Sequence, residues 1–325
     1  MINKIHFWQF PKKEIYILLD KKFRRLLINN SKTNTNSKNY YQLSLILNKK
    51  SQKYDIQTKF NGGDIKRWII GENKDFRTDK IHPKYIPLWC VIELSKIAKL
   101  ELKRIEEHII GYRSGTRGKI INNPKLPILV TPEFDSIIIH LFGDGYVNNK
   151  IMTPSYCQKN EEDRILFIKK LTNTFGSFEG NLQEGKVFRF PKAITRILSR
   201  YYNISSYMSK DAIIPFDILN KNKNHKLACI LAFILDEGGI RDIISCFSIN
   251  KNLLSQIRSL FQDCGYKCNI IRYYNGCYCF TMKNNSVNKL YKDINKLKTL
   301  YPTCNLGTKF VKLQNLYLKP RGTDR

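Results

Sequence analysis

The sequence predicts an α+β fold: two consecutive αββαββα units arranged as a pseudo-twofold pair, preceded by a mostly α-helical domain. Three observations predict it. Two helix-length apolar runs end in acid-and-glycine tips, Gly143-Asp144-Gly145 and Asp236-Glu237-Gly238-Gly239. The same order of elements follows each tip, with Asp144 and Glu237 lying 93 positions apart. The chain before residue 111 carries helical rather than alternating apolar periodicity.

In chain order, helical patterns come first, at Lys13–Asn29, Tyr40–Leu47, Gly63–Ile70, Leu88–Leu100 and Leu102–Ile110. Phe60-Asn-Gly-Gly-Asp-Ile-Lys-Arg-Trp sets a glycine turn before a short helix that stops at Gly71. A tight turn followed by a helix offering Lys66 and Arg67 outward is what a helix-turn-helix DNA reader needs, with Trp68 in the core. Residues 1–110 are therefore expected to be a helical, helix-turn-helix-like DNA-binding domain. Gly111–Pro127, with three Gly and two Pro, reads as a linker.

The first half, residues 128–222, opens on Thr131-Pro132-Glu133: a capping hydroxyl, a proline at the first helical position and an acid near the positive helix end. After the tip come a strand over Thr153–Gln158, an amphipathic helix Glu161–Phe175 closed by Gly176, a strand Lys186–Phe190 and a helix from Ala193. The second half, residues 223–317, repeats the order. Asn224 caps the apolar helix, and Ile243–Ile249, the helix Lys251–Cys264 with Gly265, strands around Asn269–Arg272 and Tyr278–Met282, and a helix from Val287 follow. Residues 318–325 read as a tail.

The chain carries 56 Lys and Arg against 27 Asp and Glu, a formal charge of +29, which points to a polyanionic partner. Residues 201–250, which hold the second tip, carry five charges of each sign. No apolar run approaches the ~20 residues of a membrane span, and the N-terminal stretch has no signal-peptide core. An intracellular protein, of the cytoplasm or an organellar matrix, is expected. Nine cysteines, an odd number, suit a reducing compartment better than a disulfide framework. Cys264, Cys268, Cys277 and Cys279 do not have the spacing of a structural zinc site.

Both tip helices are apolar nearly all round, so they must be buried, most simply against each other. An acid at a helix C-terminus is disfavoured by the dipole, so local stability explains neither Asp144 nor Glu237. Two carboxylates converging at a helix interface repel each other. A divalent cation would relieve that, and oxygen ligands select a hard ion, Mg²⁺ in a cell. Such a site suits phosphodiester hydrolysis by metal-activated water.

The stretches IIIHLFGDGYV (137–147) and ILAFILDEGGI (230–240), with IIPFDIL (213–219) leading into the second, resemble the two motifs of single-chain, archaeal-like LAGLIDADG homing endonucleases. The resemblance covers about residues 125–317. It implies that the motif helices form the interface of two halves and that the curved sheets make a DNA-binding saddle. It also implies that Asp144 and Glu237 bind catalytic Mg²⁺, with Gly143 and Asp236 offering backbone carbonyls. Gln158 and Lys159 fall where the family carries a polar residue and a lysine near the scissile phosphates, and Arg241 stands in for a lysine in the second half. The first motif departs from the pattern in Ile138 and Ile139, where the family prefers small residues. His140, inside an apolar helix, reads as a packed core residue.

The expectation is a site-specific double-stranded DNA endonuclease, a monomer acting as a pseudo-dimer, with Lys186, Arg189 and Arg272 among its DNA contacts. Two rivals stand beside it: a regulator of the same fold that binds DNA without cutting, and an RNA-binding intron maturase. An intein is not expected, since the ends lack splicing residues.

Overall fold

A computed structural model of the protein describes residues 3–74, 81–147 and 153–318. It mixes helices and sheets throughout, and its N-terminal region departs from the helical expectation. After β1 (Lys4–Ile5), residues expected to start a helix instead form β2 (Ile15–Leu19), and α1 (Lys21–Asn34) begins only behind it. Ile-Tyr-Ile-Leu-Leu is a short apolar run that fits either period. Asp20 decides the boundary, since its carboxylate accepts from Phe23 N at 2.8 Å as the helix cap.

α2 (Tyr40–Ser51) and α3 (Gly62–Ile70) follow, the latter capped by Asn61 and closed by Gly71 at φ 80°. The connection between them, residues 52–61, is longer than the roughly three to four residues of a helix-turn-helix. Arg24 donates to the carbonyls of Ile69 (3.1 Å) and Ile70 (2.7 Å) and so caps the C-terminal end of α3. Trp68 is buried, as expected, against Phe60.

Next come β3 (Glu72–Lys74), β4 (Ile81–Pro83), β5 (Ile86–Pro87), α4 (Leu88–Ala98) and α5 (Leu102–Glu106). The stretch expected as a linker is instead paired backbone: β6 (Ile109–Ser114) and β7 (Ile120–Asn122) form an antiparallel hairpin, with β8 (Ile128–Leu129) after it. Its glycines serve the hairpin. A Cβ on Gly111 would lie 3.2 Å from the carbonyl of Ile121 across the ladder, and Gly115 turns at φ 70°.

α6 (Pro132–Gly143) is capped by Thr131, whose hydroxyl accepts from Phe134 N at 3.3 Å. β9 (Gly145–Tyr146), β10 (Ser155–Cys157), α7 (Glu161–Phe175), β11 (Ser177–Phe178), β12 (Asn181–Gln183), β13 (Val187–Arg189) and α8 (Lys192–Tyr202) continue the first copy. β11 leaves that copy to pair with β7, completing a five-stranded sheet ordered β11-β7-β6-β2-β5. β1 pairs with β8. The N-terminal region is therefore joined by backbone hydrogen bonds to the segment that carries the first motif.

After α9 (Phe216–Leu219), α10 (Lys223–Glu237) is capped by Asn222, two residues before the expected Asn224. β14 (Gly238–Ile240), β15 (Ile244–Ser248), α11 (Lys251–Asp263), β16 (Arg272–Tyr274), β17 (Cys277–Met282), α12 (Val287–Leu300) and α13 (Lys309–Leu318) complete the chain. The two four-stranded sheets, β9-β10-β13-β12 and β14-β15-β17-β16, share one topology: first, second, fourth, third. α6 and α10 pack on each other, and Ile137–Phe142 and Leu227–Leu235 are buried without interruption. A helix apolar all round has no other stable place.

All nine cysteines are free thiols, and among the described residues no cluster of three or more His, Cys, Asp or Glu is arranged to hold a metal. Among those residues no helix is long and apolar enough to cross a membrane. The expected tail, 318–325, lies outside the described residues except for Leu318, which ends α13.

Candidate active site

The site is built where α6 and α10 end side by side. Asp144 is the residue on which α6 stops: its N–H donates to the carbonyl of His140 at 3.1 Å, and its own carbonyl accepts from Cys157 N on β10 at 2.9 Å. Glu237 is the last residue of α10, and Gly238 closes that helix by donating to the carbonyl of Ile234. Gly143 lets the two ends meet. A Cβ there would lie 2.8 Å from Cβ of Asp236 and 3.4 Å from Cγ of Glu237, so no larger residue fits without displacing α10.

Three carboxylates are thus held together, in two different environments. Asp144 and Glu237 are half-buried and reachable from solvent. Burial, then the charges of Asp236 and Glu237, pushes Asp144 up to about 8. Burial and Asp236 likewise raise Glu237. The Asp236 side chain is buried outright and turned inward, accepting from the Tyr156 hydroxyl at 2.6 Å and lying 2.9 Å from His140 Nδ1. The other ring nitrogen of His140 lies 2.8 Å from Nζ of Lys170, a lysine only 2 % exposed.

That second contact sets the tautomer. The Lys170 ammonium can only donate, so Nε2 accepts, and Nδ1 carries the hydrogen given to Asp236. Burial, then Lys170, holds the imidazole well below its usual range, which keeps it neutral. Burial pushes Asp236 up to about 8, opposed by the Tyr156 hydrogen bond and the Lys170 charge. Lys170 itself is lowered by burial. The chain Lys170–His140–Asp236–Tyr156 links α7, α6, α10 and β10 beneath the solvent-facing acids.

Sequence reasoning missed Lys309. From the first turn of α13 its ammonium donates to the carbonyls of Ile234 (2.9 Å), Leu235 (2.7 Å) and Gly238 (2.6 Å), satisfying the exposed end of α10. Its charge also lowers both Asp144 and Glu237. Burial pulls Lys309 down, while Asp236, Asp163 and Asp144 hold it up. Its position is fixed by Asp163 on α7, which accepts from Thr308 N (2.8 Å) and the Thr308 hydroxyl (2.9 Å). No local pattern marks Lys309, which stands 72 positions beyond Glu237.

Of the other residues expected at the site, Gln158 is brought in: Nε2 donates to Asp144 Oδ2 at 3.2 Å. Lys159, the next residue, is exposed. Arg241 is exposed at the far end of β14, a strand length of roughly 13 Å from Glu237. Among the basic residues expected on DNA, Lys186 and Arg272 are exposed and Arg189 is half-buried, on or beside the strands β13 and β16. Lys66 is exposed, and Arg67 is engaged by Asp64 at 2.7 Å. His140 is buried, as expected of a packed core residue, and it also links Asp236 to Lys170.

No protein-family model and no curated protein matches this chain. Solved structures resemble it distantly. I-DmoI in complex with DNA and Mn is 14% identical over 51% of this chain and 96% of that one, at TM-score 0.35. The homing endonuclease I-WcaI bound to its DNA recognition sequence is 17% identical over 51% and 81%, at 0.38. I-DmoI in complex with DNA and Ca is 14% identical over 57% and 98%, at 0.38. A likeness at this level of identity and superposition does not decide family or activity, which leaves the reading to the geometry of the acids.

Proposed function

We propose that the protein is a site-specific endonuclease for double-stranded DNA that hydrolyses phosphodiester bonds with a divalent cation, Mg²⁺ in the cell. One observation carries this reading: Asp144 and Glu237, from two separate motif helices, end together at the Gly143 contact at a solvent-reachable point, where Glu237 raises the cost of ionising Asp144 and the neighbouring Asp236 raises that of both. A hard divalent ion fits that donor set, because oxygen ligands with mutually repelling charges are what it offsets. Asp144 and Glu237 would hold it, with the carbonyls of Gly143 and Asp236 as further candidate oxygens. When bound, the ion supplies a more acidic water and positive charge for the phosphoryl oxygens.

The chain's own residues do the rest. Gln158 fixes the orientation of the Asp144 carboxylate by its 3.2 Å hydrogen bond. Lys309 moderates the negative charge of the pair and locks the end of α10. Lys159, exposed next to Gln158, would meet a phosphate, with Arg241 a more distant candidate in the second half. We read the repeated topology as a pseudo-twofold pair in one monomer, the two sheets receiving the duplex along Lys186, Arg189 and Arg272. The net charge of +29 supplies the attraction, which weakens steeply with salt. The N-terminal region, with Lys66 exposed, would extend the contact.

The test uses Mg²⁺ and a library of long duplexes that includes the flanks of the protein's own gene, with sequencing of cut ends. Cleavage at one sequence is expected from the wild type, and none from Asp144→Asn or Glu237→Gln, whose DNA affinity stays within several-fold. Normal cutting by either variant overturns the site assignment. Tight binding by the wild type with no cut ends under any divalent ion overturns the nuclease reading in favour of a DNA-binding regulator.

A further inference from the structure

Away from the acids, the N-terminal segment and α8 enclose a cleft of about 820 Å³ whose floor includes Ile5 and Ile197. Three half-buried rings line it: Trp8, Tyr54 and Tyr201. Each ring is held from outside the cleft. Trp8 stacks on His6 at 4.3 Å, which is itself bonded to Glu106 at 2.8 Å. The Tyr54 hydroxyl donates to Glu93 at 2.5 Å, and Tyr201 packs edge-on against Phe134 and Tyr202. These walls are preorganised, so little side-chain freedom remains to be lost on binding.

The rim is cationic. Lys12, Lys53 and Arg200 are exposed around the opening. The two acids there are already matched, Asp55 by Lys13 at 2.7 Å and Glu14 by Arg196 at 2.8 Å. What remains is net positive charge around a ring-lined slot of the size that takes a small ligand. A planar ring would stack inside and an anionic group would meet the rim. A base inside a duplex offers no free face, so the matching chemistry is an unpaired one.

We propose that this cleft binds one unstacked nucleotide, its base among Trp8, Tyr54 and Tyr201 and its phosphate on Lys12, Lys53 and Arg200. The nucleotide is either free or a unit of a single strand, and the binding does not depend on the cleavage reading. Trp8 makes a direct test possible. Of the three tryptophans, Trp68 and Trp89 are each 1 % exposed, so quenching by an added ligand reports on Trp8.

The experiment titrates the full chain with adenosine monophosphate, with five-nucleotide single strands of DNA and of RNA, and with polyglutamate of matching charge. Saturable quenching by at least one nucleotide probe is expected, and the tightest arm identifies the source. Trp8→Phe should abolish the signal while calorimetric affinity stays within about threefold, and Trp8→Ala should weaken it about tenfold. Lys53→Ala with Arg200→Ala should weaken it about tenfold and flatten its salt dependence. No binding by any nucleotide probe, equal quenching by polyglutamate, or full signal in Trp8→Phe overturns the proposal.

Discussion

Asp236 occupies the place in the second motif that Gly143 occupies in the first, one position before the terminal acid. There it meets His140 from the opposite helix. A buried charge is tolerated only when paired, and removing one partner of such a set is expected to cost about 3–5 kcal/mol. Lys170→Met should therefore lower the denaturation midpoint sharply. Replacing the set together, with His140→Leu, Lys170→Met and Asp236→Ala, should cost less than Lys170→Met alone, and a larger loss in the triple variant contradicts the network. Asp144 gives the pH dependence. Its folded value of about 8 lies above the ordinary carboxylate range. The protonated form suits the metal-free fold, so its contribution to stability is fully present below about pH 4 and is lost as pH rises through about 8. Asp144→Asn should thus be increasingly more stable than the wild type from pH 5 to pH 9 without metal, by thermal denaturation. A difference that stays flat or shrinks would show that the carboxylate is not destabilised by burial.

Between α6 and α10 the contact at Gly143 tolerates no added atom, because the nearest neighbour is Cβ of Asp236 rather than a flexible side-chain end. Gly143→Ala is expected to destabilise by about 1–3 kcal/mol through overpacking and to reduce cleavage at saturating metal by more than tenfold, since it moves both acids. Unchanged cleavage with lowered stability would mean the tips need no fixed separation. α13 acts on the same pair of helix ends from the far end of the chain. Lys309→Met leaves three carbonyls without their donor and should lower both stability and cleavage. Lys309→Arg, larger and planar, should not restore the wild-type rate. The helices were legible because several of their ends are chemical: Thr131-Pro132 marks a start, and Gly176 and Gly71 each mark an end. β2, β6 and β7 were not, because short apolar runs and a glycine-rich hairpin satisfy more than one local pattern.

Across the whole molecule, β11 with β7 and β1 with β8 join the N-terminal region to the segment that carries the first motif. Removing residues 1–110 would keep the β6–β7 hairpin but strip β6 of β2, take β5 from the sheet and leave β8 without β1, exposing unpaired strand edges. The truncated chain is expected to aggregate or lose cooperative unfolding by circular dichroism and size exclusion. A soluble, cooperatively folded remainder would show that the five-stranded sheet is dispensable.

The sequence by itself determined the two buried helices, their acidic tips, the repeated order of strands and helices, and the strongly basic charge balance. Each of these is written in composition, periodicity or a cap, within a few turns of chain. Only the tertiary structure decided that the N-terminal region shares a sheet with the rest, that Asp236 turns inward to His140 and Tyr156, and that Lys309 locks the end of α10. Those contacts join residues dozens of positions apart, and a partner at that distance leaves no periodic trace in the local sequence.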